Sequence, residues 1–332
     1  MIWYFLLSLH FIVEIVGVLS HFVFLKLVVF QGIMDVWCRF VYSSHVYSFK
    51  NNKLIFRISL GMISISMIVM LTSYFLETLV CLSIGTVFED AQCAELPIKT
   101  VLLCIHRYAE AFSIASQLFF TIERVLSIQY SRIHRSIYFK IFFVTGIVSV
   151  NAFGLSYMVT NVLFGWDGMF WLITFQLLVI ANFPLMYYAK KISNTKYNAD
   201  VTTYSLKRKH NLYNSYEIAR SFLFSTGIYM VAQLTCFFLL WAFVAGLIFD
   251  GNHVLFPKLF FIISLIWHAN LTAFPWIVML IHRSQRERIY RVWVQMFPTT
   301  KTSSKILGMN GKELVTTATQ HDYFSQLNKS WK

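Results

Sequence analysis

Charge is scarce in this sequence. Asp, Glu, Lys and Arg make up 13% of its 332 residues, where a water-soluble domain carries about 25%. That deficit excludes a soluble enzyme or a soluble binding module. Acid is the scarcer sign, with 15 Asp and Glu against 28 Lys and Arg, for a formal net charge of +13. The five cysteines, Cys38, Cys81, Cys93, Cys104 and Cys236, contain no CxxC pair and no metal-ligand spacing. They point to neither a disulfide scaffold nor a zinc site.

What the chain has instead is apolar length, with 57% hydrophobic and 18% aromatic residues. A helix needs about 20 apolar residues to cross the hydrocarbon core of a bilayer, because each residue rises about 1.5 Å. Seven stretches qualify, near 3–29, 56–80, 100–122, 139–160, 169–189, 221–248 and 259–281. The expected fold is therefore an all-α integral membrane protein, a seven-transmembrane helix bundle over 1–281. No basic segment precedes the first apolar run and no clear small-residue cleavage site follows it, so a retained first helix is expected. No internal repeat is visible, which argues against most transporter plans.

The bases set the orientation. Four lie between spans 1 and 2 (Arg39, Lys50, Lys53, Arg57) and four between spans 3 and 4 (Arg124, Arg132, Arg135, Lys140). Seven lie between spans 5 and 6 and nine after span 7, which places 24 of the 28 on one side. Only Lys99 and Lys258 fall on the other, where Glu89, Asp90, Glu95, Asp167 and Asp250 also lie. The positive-inside bias puts the N-terminus outside and the C-terminus inside, and it accounts for the net charge without nucleic acid. No Asn-x-Ser/Thr falls in an outer segment, since Asn270 lies in span 7 and Asn328 in the tail. Short outer loops favour a small molecule entering between helices over a large protein ligand.

Several ionisable groups lie inside these spans, where each is costly unless it faces the bundle. His106, Arg107 and Glu110 cluster toward the outer end of span 3, with Arg107 and Glu110 at the i, i+3 spacing of a paired face. Ser113 and Gln117 continue below them. These five, with Trp267, His268 and Asn270 at mid-depth in span 7, are the candidate ligand-binding residues. A self-satisfied pair at the headgroup boundary explains Arg107 and Glu110 equally well. His10 and Glu14 in span 1 are i, i+4 neighbours, for which local pairing is the simpler reading; His21 follows. The histidines match no HExxH pattern, so no catalytic residue, metal or cofactor is expected and the chain is read as not an enzyme. Pro184, near Asn182, can kink span 5.

At the basic end, "FFTIERVLSIQYSRIHRSIYFK" (119–140) closes span 3 with Glu123 and Arg124. A charge pair at this depth can serve as a switch whose partners change when helices shift, or as an interfacial anchor. Seven spans with an acidic-Arg step ending the third resemble G-protein-coupled receptors. More narrowly, this stretch, and "SLKRKHNLYNSYEIARSF" (205–222) before span 6, resemble the nematode serpentine chemoreceptors of the Sre (class epsilon) family or the related Sra, Srb and Srab families. The resemblance implies that Arg124 joins a G-protein-facing switch, held locally by Glu123, with Glu217 as an inter-helix partner. It implies a small environmental or pheromone-like ligand, a heterotrimeric G protein, membrane lipids and, in an oligomer, a second receptor chain as partners, with no nucleic acid. It also implies a plasma-membrane location in sensory cilia. A ligand-gated channel subunit or a small-molecule transporter is the alternative.

The chain departs from rhodopsin-like receptors in four ways. Val125 stands where tyrosine is common, span 7 reads "NLTAFPWIVM", span 6 lacks proline, and Cys93 has no partner between spans 4 and 5. A bridge from Cys93 would have to be local, to Cys81 or Cys104. After span 7, Ile289, Val292, Trp293, Met296 and Phe297 form one apolar stripe, so 282–298 is expected as an amphipathic helix on the inner leaflet, ended by Pro298. The polar remainder, 299–332, is expected to be a disordered cytoplasmic tail.

Overall fold

A computed structural model describes residues 2–30, 47–84, 93, 96–130, 136–164, 168–199, 206–250, 256–283, 285–287, 289–290, 306–307 and 313–315. Seven helices are long and apolar enough to cross a membrane. They are α1 (Ile2–Phe24), α2 (Tyr47–Ser83), α3 (Pro97–Gln129), α4 (Ile137–Met158), α5 (Gly168–Ala199), α6 (Leu206–Asp250) and α7 (Phe256–Ile281). α1 and α4 run on into π-helical turns, Leu25–Phe30 and Val159–Leu163.

Several helices overrun their apolar segments. α2 starts at Tyr47, through the polar run that includes Lys50, Asn51, Asn52 and Lys53, and α5 reaches Ala199. Hydropathy marks only the part that lipid can cover, whereas the backbone hydrogen-bond ladder continues wherever helix formers permit. In α3, Pro97 occupies the first turn, where its missing N–H removes no bond. The far end extends to Gln129, so Glu123 and Arg124 lie within the helix and not at its last residues. Ser136 caps α4 by accepting a hydrogen bond from the Tyr138 N–H at 3.3 Å.

The helices close a ring in which α1 packs on α2 and α7, α5 packs on α6, and α6 packs on α7. α3 passes through the middle, touching α2, α4, α5 and α6. Its burial says the same, since 61% of its most apolar stretch is buried against 22% for α4. α4 shows the outward pattern plainly. Ile137, Ile141, Val144, Val148 and Leu155 share one exposed face, while Phe139, Phe143, Val150 and Tyr157 point inward. An apolar outer surface of this kind needs lipid around it. The interior carries polar groups instead, among them His10, Glu14, His21, His106, Glu123 and His268.

Close approaches are made at small residues. A Cβ on Gly17 of α1 would stand 2.8 Å from Leu71 Cδ1 of α2 and collide with Thr272 of α7. One on Gly146 of α4 would collide with the edge of the Phe119 ring of α3. Phe119 is held there by Phe143 and Val150, with Phe112 and Phe142 alongside.

α7 bends at His282, and the Gln285 and Arg286 N–H groups donate to the His282 carbonyl, each at 3.0 Å. Residues 291–298 of the expected amphipathic helix lie outside the described residues. Arg288–Lys332 forms a separate unit. Within it, Ile306–Leu307 (β1) and Glu313–Val315 (β2) pair as an antiparallel ladder in the segment expected to be disordered. The rest of that tail lies outside the described residues.

Candidate functional site

At the end of the bundle opposite most of the bases, five helices leave a cavity of about 150 Å³ between them. α3 contributes Leu103, His106, Arg107 and Glu110, whose spacing places them on one side of the helix. Across from them stand Tyr74 and Glu77 of α2 and Gln176 of α5, with Gln233 and Phe237 of α6 and Trp267 and His268 of α7. The walls mix apolar side chains such as Leu103, Phe237 and Ile263 with many polar ones, among them Glu77, Arg107, Glu110, Gln176 and Gln233.

The polar groups are incompletely matched. Arg107 Nη1 donates to Glu110 Oε2 at 3.0 Å, and the Tyr157 hydroxyl of α4 donates to the same oxygen at 3.4 Å. Arg107 Nε, Gln176 Oε1 and Gln233 Oε1 are buried without a hydrogen-bond partner. Gln176 Nε2 reaches the Gln233 carbonyl at 3.5 Å, which ties α5 to α6. A buried polar atom left unmatched is costly, so these residues favour an occupant that offers both donors and acceptors.

The cavity is framed on two sides. On one, Lys99 Nζ lies 3.9 Å from Glu77 Oε1, and the Cys81–Cys93 disulfide joins the end of α2 to the segment before α3. That bridge is local and is one of the two pairings that the sequence left open to Cys93. Lys99, assigned from the sequence to an outer loop, is in the first turn of α3 and buried. On the other side, His10 and Glu14 of α1 meet His268 of α7. His10 Nε2 stands 2.8 Å from His268 Nδ1, and Glu14 Oε1 lies 3.3 Å from each nitrogen. The local His10–Glu14 pairing expected from spacing exists, and a third member from a distant helix joins it. The expectation of no metal rested on the absence of a tight set in sequence, and α7 assembles one in space.

Of the candidate ligand residues, His106, Arg107, Glu110, Trp267 and His268 line the cavity. Ser113, Gln117 and Asn270 do not; they are buried, and Ser113 Oγ, Gln117 Nε2 and Asn270 Nδ2 lack hydrogen-bond partners. Sequence reasoning passed over Tyr74, Glu77, Gln176 and Gln233. The last three are polar side chains inside apolar runs, the signal that singled out Arg107.

At the basic end, Arg124 forks onto the Glu123 carboxylate with Nε and Nη2. Its guanidinium sits 5.8 Å from the Phe120 ring centre, and Phe120 packs on Phe222 of α6 at 4.6 Å. Glu217 of α6, read as a partner for Arg124, has other partners here. It accepts from the Arg283 N–H at 3.3 Å and lies 3.9 Å from Arg220 Nη1. The Arg283 contact ties the Glu217 carboxylate to the backbone just past the end of α7. From α5, Lys196 Nζ donates to the Ile128 and Gln129 carbonyls at 2.9 and 2.8 Å, capping the end of α3.

Compared with known protein families and with curated proteins, the sequence matches none. Its functional reading therefore rests on this geometry.

Proposed function

We propose that this chain is a seven-helix receptor which binds a small polar molecule in the cavity and signals through a heterotrimeric G protein at the basic end. The observation that carries the reading is the path of α3. The same central helix presents His106, Arg107 and Glu110 to the cavity and holds the buried Glu123–Arg124 pair about 25 Å away along its axis. A ligand that prefers one arrangement of α3 against α5, α6 and α7 shifts the population of both ends together. In the shifted state Arg124 leaves Glu123 and an inner crevice opens beside Phe120 and Phe222.

The distribution of bases supports an outside N-terminus and an inside C-terminus, so the cavity faces outward. The Cys81–Cys93 bridge supports the same orientation, because disulfides persist in oxidising compartments. The narrower reading is a plasma-membrane chemosensory receptor for an environmental or pheromone-like molecule, as the resemblance to nematode serpentine receptors implies.

The test is calcium and current recording in cells that express the chain with a panel of Gα subunits, challenged with a small-molecule library, with and without intracellular GDPβS. The receptor reading expects responses abolished by GDPβS and altered by Arg124→Ala at matched surface expression. Responses that persist with G proteins blocked would make the chain a channel or transporter.

A further inference from the structure

We infer that His10 Nε2, Glu14 Oε1 and His268 Nδ1 form a binding site for a divalent transition metal ion of the zinc class, set between α1 and α7 beside the cavity. The three donor atoms stand 2.8, 3.3 and 3.3 Å apart. Two imidazoles and a carboxylate are a common zinc donor set, and ligands at about 2.0–2.2 Å in a tetrahedron lie roughly 3.3 Å from one another. The triangle already has nearly that size, so an ion is accommodated with small side-chain adjustments. All three residues are about 1% exposed, and His10 and Glu14 are one helical turn apart on the same face of α1.

Hydrogen bonding alone leaves the cluster unsatisfied. One proton shared between His10 Nε2 and His268 Nδ1 accounts for their 2.8 Å contact, but Glu14 Oε1 then has no hydrogen-bond partner. A carboxylate in this position, buried at membrane depth, needs a compensating cation or proton. A divalent ion meets all three lone pairs at once, and the ring that donated the shared proton carries it on its other nitrogen once the ion is bound.

The surroundings hold the ligands in place. The Tyr74 ring lies 5.2 Å from the His10 ring and 4.5 Å from that of His268, while Phe261 packs edge-on against His10 at 5.0 Å. Tyr74 and His268 also line the cavity. The protein supplies three ligands from the described residues, so the fourth position is taken by water or by an atom of a cavity ligand, as in open zinc sites. Nitrogen and oxygen donors favour zinc, copper or nickel over magnesium or calcium.

The test uses the full-length chain, made without a histidine tag, in lipid nanodiscs, stripped with a chelator and titrated with Co²⁺. About one Co²⁺ per chain with the intense visible absorption of a four-coordinate site is expected, displaced by Zn²⁺. Glu14→Gln and His268→Gln should each weaken binding about tenfold or more. Less than a tenth of an equivalent bound, or binding unchanged in both variants, overturns the site. Where a variant does not fold, zinc X-ray absorption on the unaltered protein decides. A nitrogen and oxygen shell near 2.0–2.1 Å with outer scattering from two imidazoles is expected, and a sulfur shell or a six-oxygen shell overturns it. No ligand and no G protein enters the measurement, so its outcome is separate from that of the receptor reading.

Discussion

His10 of α1 and His268 of α7 meet ring nitrogen to ring nitrogen at 2.8 Å, although 258 residues separate them in the chain. The contact heads a polar seam between the first and last spans. Further along it, Thr272 Oγ1 donates to the Val13 carbonyl at 3.0 Å and His21 Nε2 lies 3.2 Å from the Leu271 carbonyl. Trp276 Nε1 donates to Ser20 Oγ at 2.7 Å. In lipid the hydrophobic effect does little to hold two spans together, so such links and close packing carry the association.

The seam predicts coupled energetics. His10→Leu or His268→Leu alone leaves the other ring without its 2.8 Å partner, at a cost of about 1–3 kcal/mol. Changing both removes the mismatch between the rings, so the double variant should lose less than the sum of the singles. Unfolding in detergent, followed for the four proteins of the cycle, measures the coupling. Strictly additive losses would show that the two rings do not interact.

Arg107 predicts a response phenotype. Its Nη1 is engaged by Glu110 while Nε is buried and unmatched. An occupant that accepts from it loses a charge-assisted hydrogen bond, about 1.5–3 kcal/mol, in Arg107→Gln. The half-maximal ligand concentration should therefore rise by roughly tenfold or more at matched surface expression. Arg220→Gln, at a half-exposed base outside the cavity, is the comparison. Equal shifts in both would locate the ligand elsewhere.

Most of the fold is legible in the sequence because one physical requirement dominates it. Each span must be apolar for about 20 residues, and all seven spans are visible on that count. Helix ends are less legible, because α2, α3 and α5 continue into polar sequence that lipid does not select. The site divides the same way. Arg107 and Glu110 announce themselves as charges at i, i+3. Glu14 needed His268, which sequence periodicity cannot bring to it, since only the packing of α1 on α7 does so. Glu217 could be placed near the start of α6 but not assigned its partner, which is the backbone N–H of Arg283 just past the end of another helix.

Gly146 predicts a packing defect. An added Cβ would overlap the Phe119 ring, whose nearest other atom it would meet at 2.5 Å. The ring is packed against Phe143 and Val150. Gly146→Ala should cost about 1–3 kcal/mol, typical of overpacking. Gly227→Ala is the control, because its Cβ would come no nearer than 3.3 Å to Phe183. Thermal inactivation of the two purified variants should differ by several degrees, and equal midpoints would mean that α3 and α4 separate easily.

The Cys81–Cys93 bridge makes orientation and stability testable together. It closes a loop of 12 residues between α2 and α3, next to the buried Lys99–Glu77 pair. In the chain-entropy view a loop of that size contributes about 3 kcal/mol. Cys81→Ser should lower the unfolding midpoint and leave Cys93 as a free thiol. If this end of the bundle faces outward, a membrane-impermeant maleimide added to intact cells should label the unaltered chain only after mild reduction, and Cys81→Ser without it. Cys104 and Cys236 are free thiols and the sequence also has Cys38, so the labelling is read in a background that lacks all three. Labelling only after the cells are permeabilised would place this end inside, reverse the orientation drawn from the bases, and turn the cavity toward the cytosol.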